Sequence, residues 1–147
     1  MDVMDMAVLG WSEWALLPEL AADRVLAKID TGARSCSLHV ESQQCFRRED
    51  VEHVAFALRT DAPGPAQECC LPVADRRVVT NSGGKSCERV FILTRLRLGQ
   101  WEREVEVNLV DRHRLRHPML IGRNALAGAW LVDPARRFVL GRRGPWS

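Results

Sequence analysis

Two short segments, far apart in the chain, hold residues whose types and spacing suit a catalytic centre. In the first, residues 27–34, an apolar run ends at Ile29 and is followed by Asp30, Thr31 and Gly32. A carboxyl group at the end of a strand would stand on a rigid element, a threonine hydroxyl can fix the loop, and glycine lets another backbone approach closely. The same residue types are common in ordinary turns, so the tripeptide by itself favours a strand-ending turn.

The second segment, residues 119–126, favours a catalytic role for the first segment over an ordinary turn. Apolar residues lead to Gly122 and Arg123, after which a short helix is expected. Together, the runs 30–33 (Asp-Thr-Gly-Ala) and 120–124 (Leu-Ile-Gly-Arg-Asn) resemble the retroviral aspartic proteases, the retropepsins. The resemblance implies that Asp30, Thr31 and Gly32 form the catalytic loop, and that Gly122 and Arg123 support it from beneath.

A closer resemblance is to a bacterial family of retropepsin-like proteins that is also described as ATP-dependent zinc proteases. It extends through residues 10–14, 17–20, 28–39, 81–84, 88–89, 111–112, 119–123 and 132–133. It implies one retropepsin-like domain over residues 1–147: an all-β, closed or partly open acid-protease barrel with one short C-terminal helix. We expect frayed ends at about residues 1–6 and 142–147.

The aspartic mechanism needs two carboxyl groups, and the sequence holds a single Asp-Thr-Gly. One carboxyl accepts a proton from water while the other donates a proton to the substrate carbonyl. A single chain that carried both would need two lobes and about twice this length. We therefore predict a homodimer in which Asp30 meets Asp30 of a second copy across a twofold axis, without a metal or cofactor.

Retropepsins cover the bound peptide with a hairpin flap, and residues 78–85 occupy the matching position here. Ser82, Gly83 and Gly84 at its tip could bring backbone N–H groups to a substrate and exclude water on closing. The alternative is an ordinary surface hairpin. The flap assignment rests on analogy with the retropepsin fold.

Three residues beside Asp30 are predicted to contact substrate: Lys28, Ala33 and Arg34. Residues two apart on a strand share a face, so Lys28 lies on the Asp30 side. Retropepsins carry at the Arg34 position an acid that pairs with the late arginine, so Arg123 needs another partner here. Two cations beside a catalytic acid predict a peptide or protein substrate with carboxylates, held by charge-assisted hydrogen bonds.

The cations around the hairpin point to the same substrate class: Arg76, Arg77, Lys85 and Arg89. The alternative is that these side chains, and those of Lys28 and Arg34, are simply solvated. The bacterial family is associated with ATP-grasp ligases that add glutamate tails to proteins. The resemblance of this chain to that family therefore implies glutamate-rich tails as a substrate and a functional link to such a ligase.

Two rival functions stay open at this point: a catalytically inactive dimeric binding module with the same fold, and a zinc peptidase. His113 and His117 are four residues apart, but the stretch is rich in arginine, Pro118 follows, and no glutamate follows His113 as a zinc-peptidase helix would need. No glycine-rich phosphate-binding loop supports ATP dependence. His39 either orients a polar group near the catalytic turn or serves packing.

The composition fits one ordinary globular domain. Hydrophobic residues make up 46% and charged residues 27% of the 147 residues, with a net charge of +2, which argues against a dedicated nucleic-acid binder. No apolar run approaches the roughly 20 residues that span a bilayer, and residues 1–6 lack a basic signal-peptide start, so we expect a cytoplasmic protein without membrane contact. In that reducing compartment five cysteines are expected as free thiols: Cys36, Cys45, Cys69, Cys70 and Cys87.

Periodicity predicts mostly β-strands. Apolar and polar residues alternate at 90–98 and at 104–110, and Gly99 and Gln100 separate these runs at hairpin distance. Further strands are predicted at 8–17, 24–30, 36–40, 51–58, 68–80 and 137–140, and the only helix at 122–128. Residues 62–66 are expected to form a loop and residues 81–84 a turn.

Overall fold

The computed structural model describes residues 6–80, 83–111 and 116–141. Within these ranges it contains eleven strands and one short helix. The strands are β1 (Ala7–Gly10), β2 (Ser12–Ala15), β3 (Val25–Ile29), β4 (Cys36–Arg48), β5 (Val51–Leu58), β6 (Gln67–Pro72), β7 (Asp75–Thr80), β8 (Ser86–Leu98), β9 (Trp101–Asp111), β10 (Met119–Ile121) and β11 (Trp130–Asp133). The helix is α1 (Arg123–Leu126).

Nine of these strands form one sheet in the order β2-β3-β10-β4-β9-β8-β7, with β5 and β6 branching from β4. β1 and β11 pair in parallel as a separate sheet. The large sheet curls on itself, because Leu16, just past β2, exchanges backbone hydrogen bonds of 3.0 and 2.8 Å with Arg97 of β8. The architecture is a partly open barrel, and the prediction of an all-β fold with one short helix is confirmed.

The barrel interior is filled by one face of each long strand. In β8, Ile92, Leu96 and Leu98 at alternate positions are fully buried, and Val107 of β9 packs in the same core. The two strands join at a tight turn in which Gly99 has a φ of 61°, a left-handed conformation that favours glycine. The hairpin predicted from the alternation is thus confirmed, since β8 and β9 pair from Phe91 to Leu98.

Several predicted strand boundaries are wrong near the chain termini. The run 8–17 forms two strands in different sheets, because the N–H of Trp11 donates to the carbonyl of Arg136 at 2.8 Å and the chain bends there. The run 137–140 is not a strand. The N–H groups of Val139 and Leu140 instead donate to the buried carboxylate of Glu13, at 2.9 and 3.2 Å.

Other boundaries differ in the middle of the chain. The run 68–80 is divided into β6 and β7 at Val73 and Ala74, whose N–H groups donate to two different neighbours, the carbonyls of Glu52 and Phe91. β4 continues well past Val40, after a shift of register, to pair with β5. The short strands β10 and β11 were not predicted as strands, and the helix is shorter than the predicted 122–128.

Residues 1–5 and 142–147, where frayed ends are predicted, lie outside the described residues, as do Asn81 and Ser82 of the predicted turn. No helix in the described ranges is long and apolar enough to cross a bilayer.

Candidate active site

Asp30 stands at the carboxyl end of β3, where the neighbouring strand β10 fixes its backbone. β10 lies between β3 and β4, parallel to the first and antiparallel to the second. The N–H of Asp30 donates to the carbonyl of Ile121, the last residue of β10, at 2.9 Å. Main-chain hydrogen bonds therefore continue from the sheet into the loop that carries the acid.

The loop after Asp30 closes on itself. The N–H of Gly32 donates to Asp30 Oδ1 at 2.9 Å, and the N–H of Ala33 donates to the carbonyl of Asp30 at 3.2 Å. Such a bond from a backbone N–H to an aspartate two residues earlier fixes the rotation of the carboxylate. A Cβ atom at Gly32 would lie 3.1 Å from Oδ1, a tight contact that glycine avoids.

Gly122 and the first residues of α1 lie directly against this loop. The N–H of Arg123 donates to the carbonyl of Ala33 at 2.8 Å, and the N–H of Asn124 donates to the carbonyl of Arg34 at 3.0 Å. The guanidinium of Arg123 donates from Nη1 to the carbonyl of Gly32 at 3.2 Å. The partner that Arg123 needs in place of an acid is thus a backbone carbonyl of the loop itself.

The cations next to Asp30 are exposed. Lys28 lies on β3, opposite Ser12 of β2 on one side and Leu120 of β10 on the other. Arg34 lies at the far end of the loop, and its side chain is also exposed. Within the described residues neither side chain makes a hydrogen bond or an ion pair.

A second polar pair, missed by the sequence reasoning, lies beside Lys28. Ser12 Oγ and His117 Nε2 are 2.9 Å apart, and the ring of Trp11 packs against the imidazole at 5.8 Å. Burial lowers the pKa of His117 below its usual range, and the positive charges of Arg116 and Lys28 lower it further. The pairing of β3 with β2 on one side and with β10 on the other brings these residues together, so no local sequence signal could have found them.

The sequence pattern indicated only one role for His117, that of a candidate metal ligand. Its hydrogen-bond partner here is a hydroxyl group, and His113 lies outside the described residues. Within the ranges that the structure describes, no group of three or more His, Cys, Asp and Glu side chains is placed to hold a metal ion.

The hairpin of β7 and β8 carries exposed Gly83 and Gly84 at its described end, whereas Ser82 falls outside the described residues. Two of the nearby cations already have acidic partners. Arg76 pairs with Glu52 at 2.7 Å and with Glu88 at 3.2 Å. Arg77 pairs with Asp75 at 2.7 Å and also with Glu106. These two arginines therefore stabilise the hairpin surface, and the solvated-edge interpretation fits them better than substrate binding.

Arg89 differs from these two arginines, because it lies over a buried amide. Its Nη1 donates to Asn108 Oδ1 at 3.0 Å, and Asn108 is only 2% exposed. The same oxygen accepts from Ser37 Oγ at 3.2 Å, while Asn108 Nδ2 donates to the carbonyl of Cys36 at 2.9 Å. Asn108 was not singled out from the sequence, since a lone asparagine in an alternating strand gives no signal of burial.

The five cysteines are free thiols. Burial raises the pKa of Cys36 to about 11 and that of Cys69 to about 11. A thiol held in its protonated form is a poor nucleophile, so the buried Cys36 is not suited to a cysteine-protease mechanism.

An apolar depression of about 390 Å³ opens beside the loop that follows Asp30. Thr31 and Arg123 line it together with Leu126, Trp130 and Leu131. Leu131 is 37% exposed, as is Val8 on the neighbouring strand β1. Apolar surface therefore continues from the loop onto the small two-stranded sheet.

Known proteins match this chain over almost its whole length. The model of a RimB-like family, described as retropepsin-like aspartic endopeptidase RimB, matches residues 8–143. Probable alpha-L-glutamate ligases are similar too: that of Shewanella pealeana is 34% identical over 139 residues, and that of Desulfotalea psychrophila is 35% identical over 137 residues. These matches cover 93% and 91% of this chain but only 30% and 29% of the two ligases, so the chain spans about a third of their length.

A solved structure shows the same fold. A crystal structure of a Legionella pneumophila protein of unknown function superposes with a TM-score of 0.74 and is 28% identical. The match covers 90% of this chain and 97% of that one.

Proposed function

The chain belongs to the RimB-like family of retropepsin-like aspartic endopeptidases, and on that premise we propose that it is a homodimeric aspartic peptidase whose two Asp30 carboxyls activate water. The observation that carries the proposal is the bond from the Gly32 N–H to Asp30 Oδ1, made in a loop that Gly122 and Arg123 hold from beneath. This bond occupies one carboxylate oxygen, and in the proposed dimer the other oxygen faces the second copy.

The chemistry follows from placing two such carboxyls close together. Two like charges at short range cannot both ionise easily, so the pair holds one proton between them. The ionised member accepts a proton from water as the water oxygen attacks the peptide carbonyl carbon, and the protonated member donates its proton to the carbonyl oxygen. Collapse of the tetrahedral intermediate then breaks the C–N bond. The carboxyl that took the proton from water donates it to the leaving nitrogen, and the other carboxyl accepts a hydroxyl proton of the intermediate, which restores the pair.

The apolar depression next to Thr31 supports the dimer part of the proposal. In the proposed dimer the second copy packs around Asp30 and covers part of this depression, which Thr31 and the exposed Leu131 line. Isologous interfaces bring the same surface patch of both copies together, which is what the pairing of two identical loops requires. Burying this apolar surface would supply part of the driving force for association.

Asp30→Asn tests the proposal, because asparagine keeps the shape of the side chain and loses its ionisation. We expect cleavage of a glutamate-rich peptide to fall on the order of 10²- to 10⁴-fold, while sedimentation shows an unchanged dimer. A binding module would keep its whole function in this variant. A zinc peptidase would lose activity to a chelator, to which an aspartic pair is indifferent.

Mixing wild-type protein with Asp30→Asn protein tests the shared site directly. After equal amounts exchange subunits at random, about half of the wild-type chains sit opposite an inactive copy, so activity per wild-type chain falls to about half. Activity per wild-type chain that stays constant on mixing would contradict a shared active site.

We propose acidic, glutamate-rich tails as the substrate. Lys28 and Arg34 are exposed cations on the loop and strand that hold Asp30, and the similar proteins are named as ligases of alpha-L-glutamate. Lys28→Leu should lower kcat/KM for a glutamate-rich peptide about 2- to 5-fold more than for a neutral peptide, because Lys28 is exposed and an exposed ion pair is worth up to about 1 kcal/mol. Arg95→Leu, at an exposed cation on β8, is the matched control and should leave both substrates unaffected. Equal losses on both peptides in Lys28→Leu would remove the idea of acid recognition.

A further inference from the structure

Three polar side chains converge on the sheet face that carries Asp30. Lys28 and Asp30 are two residues apart and share that face. Ser12 lies opposite Lys28 in the β2–β3 pair, and the side chains of such cross-strand partners point the same way. His117 reaches the same face from the segment before β10, with its Nε2 2.9 Å from Ser12 Oγ. A hydroxyl, an imidazole and an ammonium group therefore lie side by side next to the catalytic turn.

A ligand can reach only part of this cluster. Ser12 is 2% exposed, whereas Lys28 is exposed and His117 is half-buried. Within the described part of the chain, Lys28 makes no hydrogen bond or ion pair. The charged groups that act on the imidazole are Arg116 beside it in sequence and Lys28 on β3, and both are cations. An excess of positive charge at a polar, partly exposed corner favours an anion.

We propose that Lys28, Ser12 and His117 form a carboxylate-binding subsite, in which protonation of His117 sets the preference for acidic over neutral side chains of the substrate. The inference rests on the proposed peptidase function and makes His117 a specificity-determining residue of that reaction. Ser12 acts through His117, as a positioning residue that holds the imidazole toward Lys28.

The pH dependence follows in sign from the environment of His117. Burial and two neighbouring cations lower the pKa of His117, so its ring is neutral near pH 7 and above. As the pH falls through that pKa, the ring gains a charge beside Lys28. A glutamate side chain, with an ordinary pKa of about 4.3, is still ionised there. Preference for glutamate over glutamine should therefore increase as the pH falls from 8 through the pKa of His117.

The test is a ratio of kcat/KM values for two peptides that differ by one glutamate-to-glutamine change. Both peptides meet the same pair of Asp30 carboxyls at each pH, so the ionisation of that pair cancels in the ratio. We expect the ratio to rise about 2- to 5-fold as the pH falls from 8 through the pKa of His117, as for a partly exposed ion pair. His117→Gln, which can still bond Ser12, should give a ratio that does not change with pH.

His53→Gln is the matched control. His53 lies on β5, bonded to the carbonyl of Val51 at 3.0 Å and stacked on Phe46 at 5.6 Å, away from the catalytic loop. This variant should keep the pH dependence of the wild-type ratio. A flat ratio in the wild type, or an unchanged pH dependence in His117→Gln, would overturn the subsite while leaving the peptidase proposal intact.

A binding measurement separates the subsite from the chemistry. In Asp30→Asn, the pKa of His117 is followed by NMR of its Cε1–H group, with and without each peptide. The glutamate peptide should raise this pKa and the glutamine peptide should not, because only a carboxylate stabilises the imidazolium. If the glutamate peptide raises this pKa but the wild-type protein cleaves neither peptide, the subsite is supported and the peptidase proposal is refuted. A pKa that neither peptide changes would refute the subsite.

Discussion

Replacing Gly122 by alanine should disable the site more than it destabilises the fold. A Cβ atom there would lie 2.7 Å from the carbonyl carbon of Ser35 and 2.8 Å from the carbonyl oxygen of Ala33, and closer still to the carbonyl oxygen of Ser35. All three atoms belong to the backbone that follows Asp30, so no flexible side chain can move aside. The loop itself must shift.

The size of the effect follows from these distances. Ordinary carbon contacts need about 3.5–4.0 Å, so the loop must shift by about 1 Å. Overpacking of this kind costs about 1–3 kcal/mol, which for a chain of this length lowers Tm by about 2–12 °C. A displacement of about 1 Å at a catalytic group can cost about 10²-fold in rate, so kcat/KM should fall by about two orders of magnitude.

The assay compares Gly122→Ala with Gly64→Ala at a temperature where both are folded. Gly64 has a φ of 98°, and no atom lies within 4 Å of the position that an alanine methyl group would take, so alanine there is strained without crowding the site. Its left-handed backbone should cost about 1–2 kcal/mol and leave peptide cleavage unchanged. If Gly122→Ala cleaves peptide within about threefold of the wild type, the idea that this contact positions Asp30 is refuted.

Glu13→Gln should lower Tm by about 5–15 °C in a calorimetric scan. The reason is that a buried amide cannot accept all three backbone N–H bonds that the Glu13 carboxylate accepts. A decrease in Tm of less than about 2 °C would contradict this account. Arg123→Ala should weaken cleavage without unfolding the protein, because the lost bond to Gly32 is exposed, and an unchanged kcat/KM would show that this bond does not order the loop. A thiol reagent at pH 7.5, followed by mass spectrometry, should leave Cys36 and Cys69 unlabelled until the protein is denatured, because a pKa of about 11 keeps both protonated. Labelling of Cys36 or Cys69 in the native protein would contradict their burial. Cys70 and Cys87 are exposed and should react at once.

Local sequence patterns predicted the secondary structure correctly where residues close in sequence are also in contact in the fold. β5 was predicted with the bounds that it has, and the β8–β9 hairpin follows from alternation and one glycine turn. The turn after Asp30 and Gly122 could be connected only through the resemblance to a family, because 91 residues separate Gly32 from Arg123. No pattern in either segment reveals that they touch.

The errors share one physical cause, which is that long-range contacts decide the structure at those points. Glu13 reads in the sequence as a polar residue on an alternating strand, yet it is fully buried and binds the backbone of residues 10, 139 and 140. That network turns residues 137–140 away from strand geometry and helps to bend the chain at Trp11. β10 has only three residues, so it exists because two other strands enclose it.

We expect different parts of this site to position Asp30 and to set the preference for substrate. Backbone hydrogen bonds fix Asp30, whereas a row of cross-strand partners runs sideways over the same face: Lys28, Leu120, Ser37 and Asn108. Arg89 binds the last of these, about three strand spacings or 14 Å from Lys28. An extended peptide repeats its side chains on one face every 6.6–7 Å or so, so two acidic side chains four residues apart match that separation. We therefore expect substitutions along this row to change which peptides are cleaved while leaving Asp30 in place, and substitutions at Gly122 to slow the cleavage of every peptide alike.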